Sequence, residues 1–139
     1  NNIFLNPLME KIRKKYICNK QIKKGISGTK EILKHFYSGT SIALMIDQRV
    51  SQGIKSLFFD KEASTTTIPA QFVKKFNCKI VPIYIERKED ENFILEIGNP
   101  LSFNDDYTIE NITLKLNQLL EKMIKRNPQQ WIWTHNRWK

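Results

Sequence analysis

Apolar and polar positions alternate along this chain with a period that changes from segment to segment, and each change marks an element. Leu8, Ile12 and Tyr16 fall at four-residue intervals, with Pro7 where a first helical turn tolerates it, so residues 7–16 read as a short amphipathic helix. Residues 17–28 are polar and are broken by Gly25 and Gly28. Ser27 then caps a second helix whose Ile32, Leu33, Phe36 and Tyr37 share one face and which Gly39 ends. Residues 40–46 make a short apolar run with polar flanks, suited to a strand buried on both faces of a parallel sheet. Asp47-Gln48-Arg49 follows at its carboxyl end, the edge along which open α/β sheets bind ligands.

Residues 50–64 show no clear period and read as a loop of functional length containing Gly53 and Phe58-Phe59. Thr65, Thr66 and Thr67 offer caps, and Pro69 a first turn, for a helix carrying Phe72, Val73 and Phe76. Residues 79–87 and 93–97 are rich in β-branched and aromatic side chains and read as two strands joined by the polar turn 88–92. Pro82 places part of the first strand at an edge or a bulge. The longest helical period runs from Ile109 to Arg126, where Ile109, Ile112, Leu116, Leu119, Leu120, Met123 and Ile124 keep to one side. A turn and cap sequence, 104–108, precedes it, Lys122, Lys125 and Arg126 suit its negative end, and Pro128 stops it. With no repeat and no low-complexity linker, these elements predict one α/β domain with a mixed central sheet flanked by helices.

Composition narrows the chemistry. Hydrophobic residues make up 40% of the 139, enough for a packed core, and the longest aliphatic run, 42–46, is far short of the roughly 20 residues of a spanning helix. The chain opens Asn1-Asn2-Ile3 without the features of a secretion signal, which reads as a fragment whose beginning is missing. Cys18 and Cys78 have no C-x-x-C partner, and His35 and His135 no second histidine at helical spacing, so zinc sites, iron–sulfur sites and a disulfide scaffold are all disfavoured. The two cysteines read as buried or half-buried thiols. The net charge of +9 is regional: residues 1–40 hold nine Lys/Arg against two acids, and the remainder fourteen against twelve. Such a field attracts nucleic-acid phosphates, an anionic membrane surface or an acidic protein, or is a solvated lysine-rich face.

Two constellations carry candidate chemistry. In the first, Asp47 and Arg49 stand ahead of a helix start that holds Thr65, Thr66 and Thr67, a cradle for phosphate or carboxylate or else plain capping. Asp47 either orients a polar substrate or pairs with a cation such as Arg13 or Arg49. The second is the tail, with Trp131, Trp133, His135, Arg137 and Trp138. Its aromatics stack bases, sit at a lipid headgroup boundary or plug the core. His135 is a proton carrier or a hydrogen-bonding surface residue.

An ordered set of residues resembles the late acyltransferases of lipid A biosynthesis, the lauroyl/myristoyl-type enzymes of the lysophospholipid acyltransferase superfamily. The set is Gly28, Leu33, Gly39, Ile46-Asp47-Gln48, Phe58-Phe59, Ala63, Thr65-Thr66, Pro69-Ala70, Val81-Pro82, Arg87, and the terminal Pro128, Gln130-Trp131, Trp133, His135 and Arg137-Trp138. The resemblance implies a glycerolipid acyltransferase-like fold, with residues 1–139 as the carboxyl-terminal part of a single acyltransferase domain. It implies transfer of a fatty acyl group from acyl carrier protein to a hydroxyl of a phosphorylated lipid A precursor, without metal or cofactor, at the cytoplasmic face of a Gram-negative inner membrane. The implied partners are the carrier protein, the lipid A precursor and the membrane surface, with no nucleic acid. The family's signature is a His with an acid five positions later, and neither histidine fits: Thr40 follows His35 at that spacing, and only four residues follow His135. The signature and a membrane helix are therefore expected upstream. By position, Asp47 and Arg13 carry over as catalytic residues, and Arg49, Thr65, Thr66, Thr67 and Arg137 as substrate-binding residues. Asp60 stands where the family usually has Gly. Two other classes remain open, a basic nucleic-acid-binding module and a catalytically inactive acyltransferase-like membrane partner.

Overall fold

The structure, a computed structural model, describes residues 3–22 and 26–139. The chain divides into two compact units, Asn1–Ala43 and Leu44–Lys139.

The first unit is helical. α1 spans Leu5–Tyr16, starting two residues before Pro7, which occupies its first turn. Arg13, Lys14 and Lys15 crowd its last turn, where cations meet the negative end of the helix dipole. None of its residues is buried. α2 spans Ile26–Tyr37, so Ser27 lies inside the helix and does not cap it. The expected break at Gly25 lies outside the described residues. Gly39 closes α2 with φ +81, a left-handed position that suits a residue without Cβ. Cys18 is exposed, not half-buried as expected, because it falls in the polar stretch beyond α1.

At residues 40–46, which straddle the boundary between the two units, the structure departs from expectation. Residues 40–46 form no strand, and Met45 is 80% exposed. A strand needs a hydrogen-bonded neighbour, and among the described residues none pairs with this run. Ile46 turns inward, onto the core. The stretch expected to be a loop is instead a hairpin. β1 (Ile54–Phe58) pairs antiparallel with β2 (Lys61–Thr65), register Ser56 to Ala63 and Phe58 to Lys61. Its two-residue turn puts Phe59 at φ 48 and Asp60 at φ 60, the left-handed pair whose twist matches that of the flanking strands. The tight turn thus forms with Asp60 in place of glycine, and the Glu121 carboxylate accepts the Phe59 amide at 2.9 Å.

α3 spans Ile68–Phe76 and ends on Asn77 in the left-handed region. β3 (Ile83–Arg87) begins just after Pro82 and pairs antiparallel with β4 (Phe93–Ile97). One face of this second hairpin is fastened to α4 (Ile109–Arg126): Arg126 grips Glu96 through two bonds of 3.1 and 2.8 Å and lies over the Tyr84 ring. The other face presents Ile83, Ile85, Phe93, Leu95 and Ile97, all exposed. Among the described residues the architecture is therefore mixed α/β, with four α-helices and two separate two-stranded antiparallel sheets. No single mixed sheet forms, because the segment expected to be its parallel strand, 40–46, makes no strand pairing.

α4 is the spine of this unit. Thr108 caps it, its hydroxyl accepting from the Asn111 amide at 3.2 Å. Two buried clusters lie along it. Ala70 and Val73 of α3 meet Ile112 and Leu116, flanked by Ile80, Leu101 and Phe103. Further along, Phe58 and Ala63 meet Ile124, with Leu120, Trp131 and Trp138 around them. Phe58 is fully buried and stacks on Trp138 at 5.7 Å, a side chain whose removal costs about 3–5 kcal/mol in such a setting.

Candidate functional site

Asp47-Gln48-Arg49 precedes β1 by the four residues 50–53, and three bonds fix where it lies. The Val50 amide donates to the Ser64 carbonyl at 3.3 Å, and the Ser64 hydroxyl returns a bond to the Val50 carbonyl at 2.7 Å. The Arg49 amide donates to His135 Nε2 at 3.2 Å, which places the ring proton of a neutral imidazole on Nδ1. Gly53 supports the same turn by close approach, since a Cβ there would run into the Thr65 carbonyl.

Beneath the loop lies Arg137, fully buried. Its Nη1 donates to the Ser64 carbonyl and its Nη2 to Thr65 Oγ1 at 3.0 Å, and its guanidinium carbon is 5.3 Å from the Phe58 ring centre. Thr65 is buried too. Its hydroxyl donates to the Ala63 carbonyl at 3.1 Å and accepts from Asn117 Nδ2 at 3.2 Å, while that same amide reaches the Leu57 carbonyl at 2.9 Å. Tail, hairpin and α4 thus share one buried polar network, whose members hold each other in place.

Three atoms of this neighbourhood are left over, the Asn117 Oδ1 among them. Arg137 Nε and Asp47 Oδ1 are both buried without a hydrogen-bond partner in the protein. Burial pulls the Arg137 guanidinium below its ordinary pKa, and the charge of Asp47 opposes that shift. The acid and the arginine therefore sense each other electrostatically while each keeps polar capacity free. Such orphaned groups call for an explanation.

The other expected site residues are placed as follows. Arg49 is exposed. Thr66 Oγ1 accepts the Ile68 amide at 3.3 Å, so the cap comes from Thr66, one residue earlier than the helix boundary suggests. Thr67 Oγ1 accepts from Gln71 at 2.9 Å. With the Ile68 N–H occupied and Pro69 lacking one, the start of α3 offers fewer free donors to an anion than the sequence suggests. Arg13 is exposed on α1, in the first unit. The structure thus joins Asp47, Thr65 and Arg137 in one neighbourhood with Arg49 tied to it through its backbone.

Asn117 and Ser64 escaped the sequence reading. Asn117 had a signal: with Thr113 it interrupts the apolar side of α4 at helical spacing, and both are buried. Of the tail, Trp131 and Trp138 are half-buried against Phe58, and Trp138 Nε1 donates to the Phe58 carbonyl at 2.8 Å. Trp133 stays 48% exposed.

The family model of the bacterial lipid A biosynthesis acyltransferases matches residues 1–139. The chain belongs to this family. A comparison with curated proteins finds no match. Lipid A biosynthesis acyltransferases are transferases that require a lipid A-type acceptor and an acyl donor. For an acyltransferase of this kind the site offers a carboxylate with one buried free oxygen, set against a buried guanidinium. A carboxylate oxygen of this kind can accept a hydrogen bond from a hydroxyl or an imidazole. Among the described residues no group of three or more His, Cys, Asp or Glu is placed to hold a metal ion.

Proposed function

We propose that this acyltransferase moves a fatty acyl group from acyl carrier protein onto a hydroxyl of a phosphorylated lipid A precursor, at the cytoplasmic face of the bacterial inner membrane. The observation that carries the reading is the family match over residues 1–139, joined to a loop acid with an unsatisfied buried oxygen. In this reading the acceptor oxygen attacks the thioester carbonyl while an imidazole takes its proton, and the proton passes to the departing thiol. In this reading the imidazole belongs to residues outside these 139: the family signature sets an acid five positions after its His, and Thr40 stands at that spacing from His35. His135 spends its Nε2 on the Arg49 amide.

Asp47 orients the reacting groups, and Arg13 meets a substrate phosphate. Arg49, Thr66 and Thr67 line the approach, while Thr65 and Arg137 hold Asp47 and its loop from beneath. The fold is read as a glycerolipid acyltransferase-like domain completed by upstream residues. Packing of Trp131 and Trp138 on Phe58 removes two of the three rings that a base-stacking tail would need, so nucleic-acid binding is not favoured.

The test is acyl-carrier-dependent transfer to a lipid A precursor by the chain and by its upstream-extended form, each also as Asp47→Asn. The extended form turns over and the 139 residues alone do not; Asp47→Asn lowers kcat at least tenfold at unchanged folded fraction. Turnover by the 139-residue chain would place the base within it. Full activity of Asp47→Asn would remove that acid from the chemistry.

A further inference from the structure

α1 has an apolar stripe and a lysine-bearing back that, Arg13 apart, the transfer chemistry does not use. At about 100° per residue, Leu8, Met9, Ile12 and Tyr16 fall within a stripe about 100° wide, the width of a helix face made to be covered. Yet they are 53%, 42%, 40% and 71% exposed. Arg13 borders one edge of the stripe and Lys15 the other, with the Lys15 ammonium 4.8 Å from the Tyr16 ring centre. Lys11 and Lys14 stand at the back, and Glu10 is the one acid of the helix.

Charge and stripe together select the partner. A carrier protein or a nucleic acid would use the lysines and leave the stripe in water. A second copy of the chain would bury the stripe while bringing two basic helices together, at a cost in like-charge repulsion. A bilayer surface with anionic headgroups uses both faces: the apolar side chains enter the acyl boundary while the basic stems reach up to the phosphates. The helix has 12 residues, about 18 Å of length, which fits lying along a membrane and not crossing it. Indeed no helix among the described residues is long and apolar enough to cross one.

We propose that α1 is an in-plane anchor that seats this protein on an anionic lipid bilayer. The proposal deepens the membrane part of the function proposed above and rests on it, naming the element and the lipid class.

The experiment is co-sedimentation of the purified chain with vesicles of phosphatidylglycerol in phosphatidylcholine, and of phosphatidylcholine alone, with neither acyl donor nor acceptor present. The chain binds the anionic vesicles, and binding weakens as salt rises. At about fivefold per basic residue near the surface, Lys11→Gln/Lys14→Gln/Lys15→Gln binds roughly a hundredfold more weakly. Met9→Glu/Ile12→Glu binds more than tenfold more weakly, and as both positions are exposed it retains the parent circular dichroism. Ile85→Lys, on the bare face of the β3–β4 hairpin, binds as the parent does. Equal binding to both vesicle types would overturn the proposal, as would loss confined to Ile85→Lys or release by equimolar inorganic phosphate. So would a dimer in sedimentation velocity that Met9→Glu/Ile12→Glu dissociates, with no vesicle binding by the parent. Because the vesicles hold no substrate, any of these failures leaves the acyl transfer reading to its own test.

Discussion

Replacing Arg137 by Met keeps much of the buried volume and removes the charge, which isolates what the guanidinium does. Two charge-assisted bonds disappear, to the Ser64 carbonyl and to Thr65 Oγ1, each worth about 1.5–3 kcal/mol. The contact with the Phe58 ring adds about 1 kcal/mol. Against this, Met has no counterpart of the unpaired Nε, which recovers about 1–3 kcal/mol. The difference is a loss of about 3 kcal/mol. It lies at the lower edge of what removing one partner of a buried charged network costs, since Asp47, Ser64 and Thr65 remain behind uncompensated. Urea unfolding followed by tryptophan fluorescence reads the change where it happens, because Trp131 and Trp138 pack on the same Phe58. With a slope of about 2 kcal/mol per molar urea, the midpoint falls by about 1.5 M. A double-mutant cycle with Thr65→Val then yields a coupling of about 1–2 kcal/mol. A midpoint within 0.3 M of the parent, or strict additivity with Thr65→Val, would refute the network as a source of stability.

Other outcomes follow from local geometry. Gly53→Ala destabilises by about 1–3 kcal/mol in the same urea assay, because its Cβ meets the Thr65 backbone, which cannot swing aside, as well as a Val50 methyl. Asp60→Gly raises the unfolding midpoint by the equivalent of about 0.5–1 kcal/mol, since glycine holds φ 60 without strain; an unchanged or lower midpoint would show that Asp60 contributes a compensating bond. Glu96 is held below its ordinary pKa by its bond to Arg126, Glu86 by Lys88 and Glu110 by its own backbone amide and the Thr108 hydroxyl. Their contribution is complete above the unfolded carboxylate value of about 4.3 and disappears as pH falls through the lower folded values. Glu96→Gln therefore narrows the drop in melting temperature between pH 5 and pH 3, and an unchanged pH profile would count against the bond.

The parts of the fold that were legible in sequence are those with a strong local period. α4 runs over the residues its apolar spacing marks, and β3 and β4 lie inside their β-branched runs. The β1–β2 hairpin was not legible because its inward positions include Ser56, Ala63 and Thr65, which do not look like a core. Its turn, Phe59-Asp60, also lacks the Asn-Gly type of signal. The error at 40–46 has the opposite origin: an apolar run signals burial, but pairing depends on a neighbour that composition does not reveal. At the site, Asp47 was picked out by its place after an apolar run. Its relation to Arg137 depends on contacts such as that of Arg49 with His135, 86 positions apart, which no spacing rule reaches.

The grip of Arg137 on Ser64 also has a consequence for kinetics. It closes a loop of 73 residues, an ordering cost of about 4 kcal/mol before any bond is gained. The β1–β2 hairpin, joined by a two-residue turn, is far more local and forms without it. The tail therefore closes late, and interactions made after the barrier govern how fast a protein unfolds more than how fast it folds. Arg137 and Trp138 thus act chiefly as a brake on unfolding: weakening them shortens the lifetime of the positioned Asp47 loop while leaving the speed of its assembly nearly unchanged.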